Sequence, residues 1–250
     1  MIATSGPGAT NLVTGIATAY MDSIPMVAIT GNVAVELLGR DSFQEVDITG
    51  ITMPVTKHNF AVKRVEDLAD IIRRAFQIAQ SGRPGPVLID VPKDITASRC
   101  QYERQSPLPL SPSPRPEESR LAKAAEMLRQ SKRPFLYAGG GVIASGAAPE
   151  LLRFAETLQA PVCTSLMGLG GFPEDHPLSL GMIGMHGSYA AGMALDHSDL
   201  IVVLGARFSD RVAGDREKFG KQAKILQLDV DLAEVDKNVL VDRYLIGDLK

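Results

Sequence analysis

Three polar runs in the first hundred residues carry side chains suited to chemistry. Thr4-Ser5-Gly6-Pro7-Gly8-Ala9-Thr10-Asn11 reads as a strand end, a glycine turn and a helix start. Such a turn brings backbone close to whatever lies above a sheet and leaves the first helical N–H groups without partners. Its plainer reading is a tight turn with Thr10 or Asn11 near the helix cap. Asp41-Ser42-Phe43-Gln44-Glu45 sets an aromatic ring beside a neutral amide. That pair suits a small polar ligand, although Phe43 equally suits a core. Thr56-Lys57-His58-Asn59 offers a cation and an imidazole; taken singly, Lys57 reads as a solvated charge and His58 as a surface or hydrogen-bonded core histidine.

The second half offers a different set. Gly139-Gly140-Gly141 follows an apolar run and permits close backbone approach, but lacks the GxGxxG spacing of a conventional NAD site. Asp229 ends another apolar run, a position from which an acid can hydrogen-bond a ribose hydroxyl. Arg207 and Arg211 are spaced to offer donors to a diphosphate or a flavin ring edge, and with Asp210 they equally make a surface ion-pair cluster. His186 sits in a glycine-flanked turn and can be only a turn residue. Cys100 and Cys163 set no metal spacing, and no metal site is expected within the chain.

The elements that must position these residues are apolar strands alternating with helices. Pro25–Thr30, Pro86–Val91, Pro134–Ala138, Leu200–Leu204 and Ile225–Leu228 are apolar almost throughout, which points to parallel sheets covered on both faces. Apolar spacing predicts a helix over Val65–Ser81 and another from Ala9 to about Tyr20. Met1-Ile2-Ala3 and Tyr244–Asp248 read as strand ends. Pro107, Pro109, Pro112, Pro114 and Pro116 mark a semi-rigid linker. The expected fold is therefore α/β, with two three-layer parallel-sheet domains over 1–98 and 118–250 joined by a linker at 99–117.

Composition sets bounds on function. In 250 residues, apolar types make up 45% and charged types 22%, an ordinary globular balance. A net charge of −3 gives no electrostatic hold on phosphate backbones, so nucleic acid is not an expected partner. No apolar run reaches the ~20 residues that span a bilayer, and no signal peptide is evident. A cytoplasmic protein with reduced thiols is expected.

Taken in order, the first three runs with Ser81-Gly82-Arg83-Pro84-Gly85-Pro86-Val87 closely resemble the acetolactate synthase (acetohydroxyacid synthase) large-subunit family of thiamine-diphosphate enzymes. The resemblance continues through Leu166-Met167-Gly168-Leu169-Gly170, Gly184-Met185-His186-Gly187, Gly205-Ala206-Arg207-Phe208 and Asp210-Arg211. It implies that the first half is the later part of a pyrimidine-binding domain and the second a Rossmann-like central domain that binds FAD. By that resemblance Pro7 and Asn11 lie around the thiamine pyrimidine, Gln44 faces the reacting substrate, and Phe43 and Lys57 line the channel to it. Ala34 stands where some members have proline. Gly139, Gly140, Met167, His186, Arg207, Asp210, Arg211, Asp229 and Asp248 belong to the flavin site. A neutral amide at Gln44 can bond a keto oxygen without trapping the carboxylate that must leave.

The implied reaction condenses pyruvate with a second pyruvate or 2-ketobutyrate, with loss of carbon dioxide, in branched-chain amino-acid synthesis. The family's cofactors are thiamine diphosphate, Mg²⁺ and FAD, the last without net redox change. Its catalytic glutamate precedes the glycine turn, and its diphosphate–Mg²⁺ anchor, a Gly-Asp-Gly turn with a downstream Asn, lies in a later domain. By that resemblance Gly214-Asp215-Arg216 with Asn238 is only an imitation, since Arg216 replaces the glycine. The chain is thus expected to be an internal segment, inactive alone and prone to aggregate, of a homodimeric or homotetrameric parent with a possible small regulatory subunit. The alternatives are a non-catalytic FAD-binding module, or part of a relative such as pyruvate oxidase or glyoxylate carboligase.

Overall fold

A computed structural model describes residues 1–250, which divide into two compact units, Met1–Pro112 and Ser113–Lys250. Both are α/β, with wholly parallel sheets.

The first unit runs β1 (Ile2–Ala3), α1 (Pro7–Thr10), α2 (Val13–Met21), β2 (Met26–Asn32), α3 (Ile48–Thr52), β3 (His58–Ala61), α4 (Val65–Gln80), β4 (Pro86–Pro92) and α5 (Lys93–Ala97). Strand order is β1-β2-β4-β3. β4 is buried at every position, and its alternating side chains supply two cores. Val87, Ile89 and Val91 pack with Phe60, Ala75 and Ala79 on one face. Leu88 packs with Ala9, Ile16, Ala28 and Ile48 on the other. Helices therefore cover both faces, which lets an apolar strand go unbroken.

Two local expectations change. The helix expected over Ala9–Tyr20 is two helices, because Leu12 N donates to Ala9 O (3.1 Å) in a tightened turn before α2 begins. Its cap is Gly6 rather than Thr10 or Asn11; Thr10 Oγ1 instead donates to Pro7 O (3.2 Å), and Asn11 ends α1. The stretch beginning at His58 is an edge strand, β3, whose ladder partner β4 supplies the burial its own polar start does not.

The second unit runs α6 (Glu118–Gln130), β5 (Pro134–Ala138), α7 (Gly140–Ala144), α8 (Ala148–Leu158), β6 (Val162–Thr164), β7 (Ser179–Met182), α9 (Tyr189–His197), β8 (Leu200–Leu204), α10 (Asp210–Ala213), β9 (Lys224–Asp229) and β10 (Arg243–Ile246). The sheet order is β10-β9-β8-β5-β6-β7. Numbered from β5, this is the doubly wound order 6-5-4-1-2-3, whose direction of winding reverses between β5 and β8. Leu136, Ala138, Val202 and Leu204 face one core, and Phe135, Tyr137, Ile201 and Val203 face the other. Residues 98–117 contain no helix or strand. No helix is long and apolar enough to cross a membrane.

Candidate cofactor sites

The first candidate site lies at the carboxyl end of β1. Gly6 has φ 60°, and a Cβ there would stand 2.6 Å from the carbonyl oxygen of Gln44 and 2.9 Å from its Cβ. Only glycine lets the 41–45 loop settle onto the turn. That loop is itself bent, with Asp41 at φ 55° and Gln44 at φ 56°, left-handed values that need local support. Glu45 gives it: its carboxylate accepts from Gly39 N and from Ser42 N (3.2 Å), and the Gly39 bond chiefly holds its pKa below the ordinary value. Ser42 Oγ donates to Leu37 O (3.0 Å).

The turn and the loop bring Pro7 and Gln44 into one neighbourhood, with Phe43 and Asn11 on its flanks; all four are exposed. Phe43 is 86% exposed, so it is not a core residue of this unit. The chemistry available here is that of a neutral amide and an aromatic face. It can position and hydrogen-bond, while the Glu45 carboxylate is engaged by the loop's own N–H groups.

Lys57 stands elsewhere. Its backbone N donates to Pro86 O (2.8 Å), at the amino end of β4. Ala3, through Thr30, is level with Asp90, so Lys57 lies four residues, about 13 Å, back along the strand direction, and at the opposite edge of the sheet from β1. Its ammonium donates to Ile78 O and Ser81 O (2.5 Å each), carbonyls at the carboxyl end of α4. A cation there complements the carbonyls of the last helical turn and the helix dipole. Within this unit Lys57 and Gln44 are not brought together. His58 is exposed with its ring edge-on to Phe60, and Asn59 serves Thr52, Thr56 and the carbonyl of Thr49.

The second candidate site lies along the carboxyl edge of the six-stranded sheet, where every flavin-type candidate falls. Gly139 and Gly140 follow β5, Met167 follows β6, His186 follows β7, Arg207 follows β8, Asp229 ends β9 and Asp248 follows β10. Open α/β sheets bind ligands at this edge, at the point where winding reverses. There β5 and β8 part and Gly139 and Gly205 meet: a Cβ on Gly139 would strike Gly205 O and come within 2.6 Å of Ala206 Cβ. Gly140 faces Met167, whose Cβ is 3.2 Å from where its own would be.

The remaining candidates are held as two clusters. Met185 N donates to Arg211 O (2.7 Å) and Arg211 Nη1 contacts Met185 Sδ (3.7 Å), which ties the His186 turn to α10. The Arg211–Asp210 pair, at 3.9 Å with both side chains about two-thirds exposed (67% and 69%), contributes little stability. Gly247 N donates to Asp229 O (2.9 Å), and Asp229 Oδ1 accepts from Asp231 N (2.9 Å), so Asp229 and Asp248 share a corner. Asp229 is buried, while His186, Asp210 and Asp248 are exposed. One cluster carries a guanidinium and the other a strand-end carboxylate, chemistry suited respectively to a diphosphate and to ribose hydroxyls.

Residues not singled out in the sequence hold these sites in shape. Tyr137 Oη donates to Arg207 O (3.1 Å) and Asn238 Nδ2 to Phe208 O (2.9 Å), fixing the backbone that carries Arg207. Burial pushes the Tyr137 phenol well above its ordinary range, so it remains a donor. Asp215 meanwhile takes Lys218 Nζ at 3.0 Å in an exposed turn, so it and Asn238 serve separate local bonds. In the first unit, Asp90 is buried between Thr30 and Asn32. The available signal was an acid inside an otherwise apolar strand.

Comparisons with known proteins bear on both units. The family model "Thiamine pyrophosphate enzyme, central domain" matches residues 121–250, and "Thiamine pyrophosphate enzyme, N-terminal TPP binding domain" matches residues 1–51. A probable acetolactate synthase large subunit of Methanocaldococcus jannaschii is 52% identical over all of this chain and 43% of its own length. Acetolactate synthase large subunits of Corynebacterium glutamicum (50%) and Buchnera aphidicola (48%) also match the whole chain, over 40% and 45% of their lengths. The chain thus spans less than half the length of the curated relatives it matches.

Proposed function

Because the chain belongs to the thiamine pyrophosphate enzyme family, we propose that it supplies two walls of an acetolactate synthase. That enzyme joins pyruvate to pyruvate or 2-ketobutyrate with loss of carbon dioxide. The observation that carries this reading is the match over the whole chain, at 48–52% identity across both units, to proteins named acetolactate synthase large subunits. Bound thiamine diphosphate supplies the electron sink for decarboxylation. In this reading Pro7 and Asn11 flank its pyrimidine, Gln44 donates its amide N–H to a keto oxygen, and Phe43 excludes water from the entrance. Lys57 reaches the channel only if its head leaves α4 or a second copy brings it there.

FAD would lie along the six-stranded edge. Arg207 and Arg211 would face its diphosphate, Asp229 and Asp248 its adenosine half, and Gly140, Met167 and His186 the flavin side. In this reading the Mg²⁺–diphosphate anchor lies in a part of the enzyme outside these residues. The functional assembly in this reading is a homodimer or homotetramer in the cytoplasm, with a small regulatory subunit as a possible partner.

The test is product analysis of the enzyme containing this chain, given pyruvate, thiamine diphosphate, Mg²⁺ and FAD. Acetolactate supports the reading. Hydrogen peroxide from pyruvate, or tartronate semialdehyde from glyoxylate, in its place would overturn it in favour of an oxidase or a glyoxylate carboligase. The 250-residue chain alone should make no acetolactate in the same mixture.

A further inference from the structure

We propose that Asp90, Asn32 and Asp94 form a positioning device that fastens the 33–45 loop and so holds Gln44 against the glycine turn; its role in substrate choice rests on the function proposed above. The bonds run in sequence. Asp90, 4% exposed on β4, accepts from Thr30 Oγ1 (2.8 Å) and from Asn32 Nδ2 (2.6 Å). Those donors set the amide of Asn32 so that its Oδ1 accepts from Val33 N (2.9 Å), the first residue beyond β2. Two residues on, Val35 N donates to Asp94 Oδ1 (3.1 Å) on α5. The entrance of the loop is therefore tied at two backbone N–H groups to the strand and helix that follow one another in the next part of the sheet.

The far end is tied by different means. Ser42 Oγ reaches back to Leu37 O, Glu45 takes Gly39 N and Ser42 N, and the backbone of Gln44 rests on Gly6. Between these anchors lie left-handed Asp41 and Gln44, which local sequence alone does not favour. A loop with strained residues keeps one shape only if its entrance is fixed, because slack there lets φ relax. Burying a carboxylate without a cation is costly. Asp90 is tolerated because both its oxygens are bonded, and the same two bonds orient Asn32. An apolar residue in its place would fill the strand equally well but leave Asn32 without a partner. None of the three acts on substrate; each acts through the position of Gln44.

The experiment uses the enzyme containing this chain and two variants, Asn32→Ala and Asp94→Ala. The second alters an exposed side chain and leaves the core intact. Trypsin cleavage after exposed Arg40, in the loop, is followed by mass spectrometry and normalised to cleavage after Arg104, outside any helix or strand. Each lost backbone bond should raise the normalised rate roughly fivefold. In parallel, the ratio of acetohydroxybutyrate to acetolactate is measured from mixed pyruvate and 2-ketobutyrate. That ratio is insensitive to the fraction of folded enzyme, and it should shift in both variants. Asp90→Asn, which can bond Thr30 and Asn32 alike, should keep both readouts near wild type. An unchanged Arg40 rate overturns the fastening, and a faster rate with an unchanged ratio overturns its role in positioning. A wild-type enzyme that makes neither product refutes the functional reading, while the cleavage rates still decide the fastening.

Discussion

Replacing Lys57 by methionine separates a structural role from a channel role. The ammonium donates to two carbonyls at the end of the 16-residue α4, and the side chain is only half-buried. Hydrogen bonds from a charged group contribute roughly 1.5–3 kcal/mol, and a cation near a helix end about 0.3–1 kcal/mol. Because water can satisfy part of the loss, the net cost should be about 2 kcal/mol. In a unit of this size, about 4 °C per kcal/mol gives a fall in Tm of roughly 8 °C. Arg64, at the other end of α4, is the control: its pairs with Glu66 (3.6 Å) and Asp67 (4.0 Å) are more than half exposed. Arg64→Met should move Tm by no more than about 2 °C. Differential scanning fluorimetry of the two proteins, with circular dichroism to follow helix content, makes the comparison. Equal melting temperatures for wild type and Lys57→Met would refute the capping argument and return Lys57 to the channel.

Three further outcomes are expected. Asp90 has its pKa raised, chiefly by burial and despite the Asn32 and Thr30 donors, with the Asp47 carboxylate adding to the rise. The folded chain therefore holds this proton more tightly than the unfolded one, and the resulting stabilisation is lost as pH rises through the folded value. Urea midpoints should favour Asp90→Asn over wild type increasingly from about pH 4 until Asp90 is ionised, and a constant difference would contradict this. At pH 8, iodoacetamide should label exposed Cys100 but not buried Cys163, whose thiol is pushed up to about 12; two adducts by mass spectrometry would show that core to be open. Gly139→Ala should cost about 1–3 kcal/mol through overpacking and lower flavin absorbance per chain after gel filtration. Gly192→Ala, where a Cβ meets nothing within 4 Å, should keep wild-type flavin content; full flavin in the Gly139 variant would refute the joint described between β5 and β8.

What the sequence made legible followed burial. β5 and β8 are apolar throughout, and β4 apart from Asp90, because both faces are covered, and each was readable from its own residues. The α4 stripe was equally plain; its observed end, Gln80, falls one residue before Ser81. β3 was not legible, since His58 and Asn59 are polar and the strand exists through its pairing with β4. Nor was the break at Leu12, where a turn bond outcompetes an otherwise helical pattern. For the second site, type and order of residues placed the candidates along one sheet edge as a set, because at least one of them follows or ends each strand. Proximity was less accessible: nothing local in Lys57 reveals that its side chain reaches back to α4, and nothing local in Asp90 reveals Asn32.

The strand order of the second unit has a kinetic corollary. β5 lies in the middle of its sheet, yet its partner β8 begins 66 residues later, with Pro134 aligned to Leu200. Pairings of such long sequence separation require a large loop to close first, and form slowly. The candidate edge draws on all six strands, so it exists only once the last of them has docked. If the proposed dinucleotide binds there, its uptake reports completed folding and holds the product of that slow search in place by mass action.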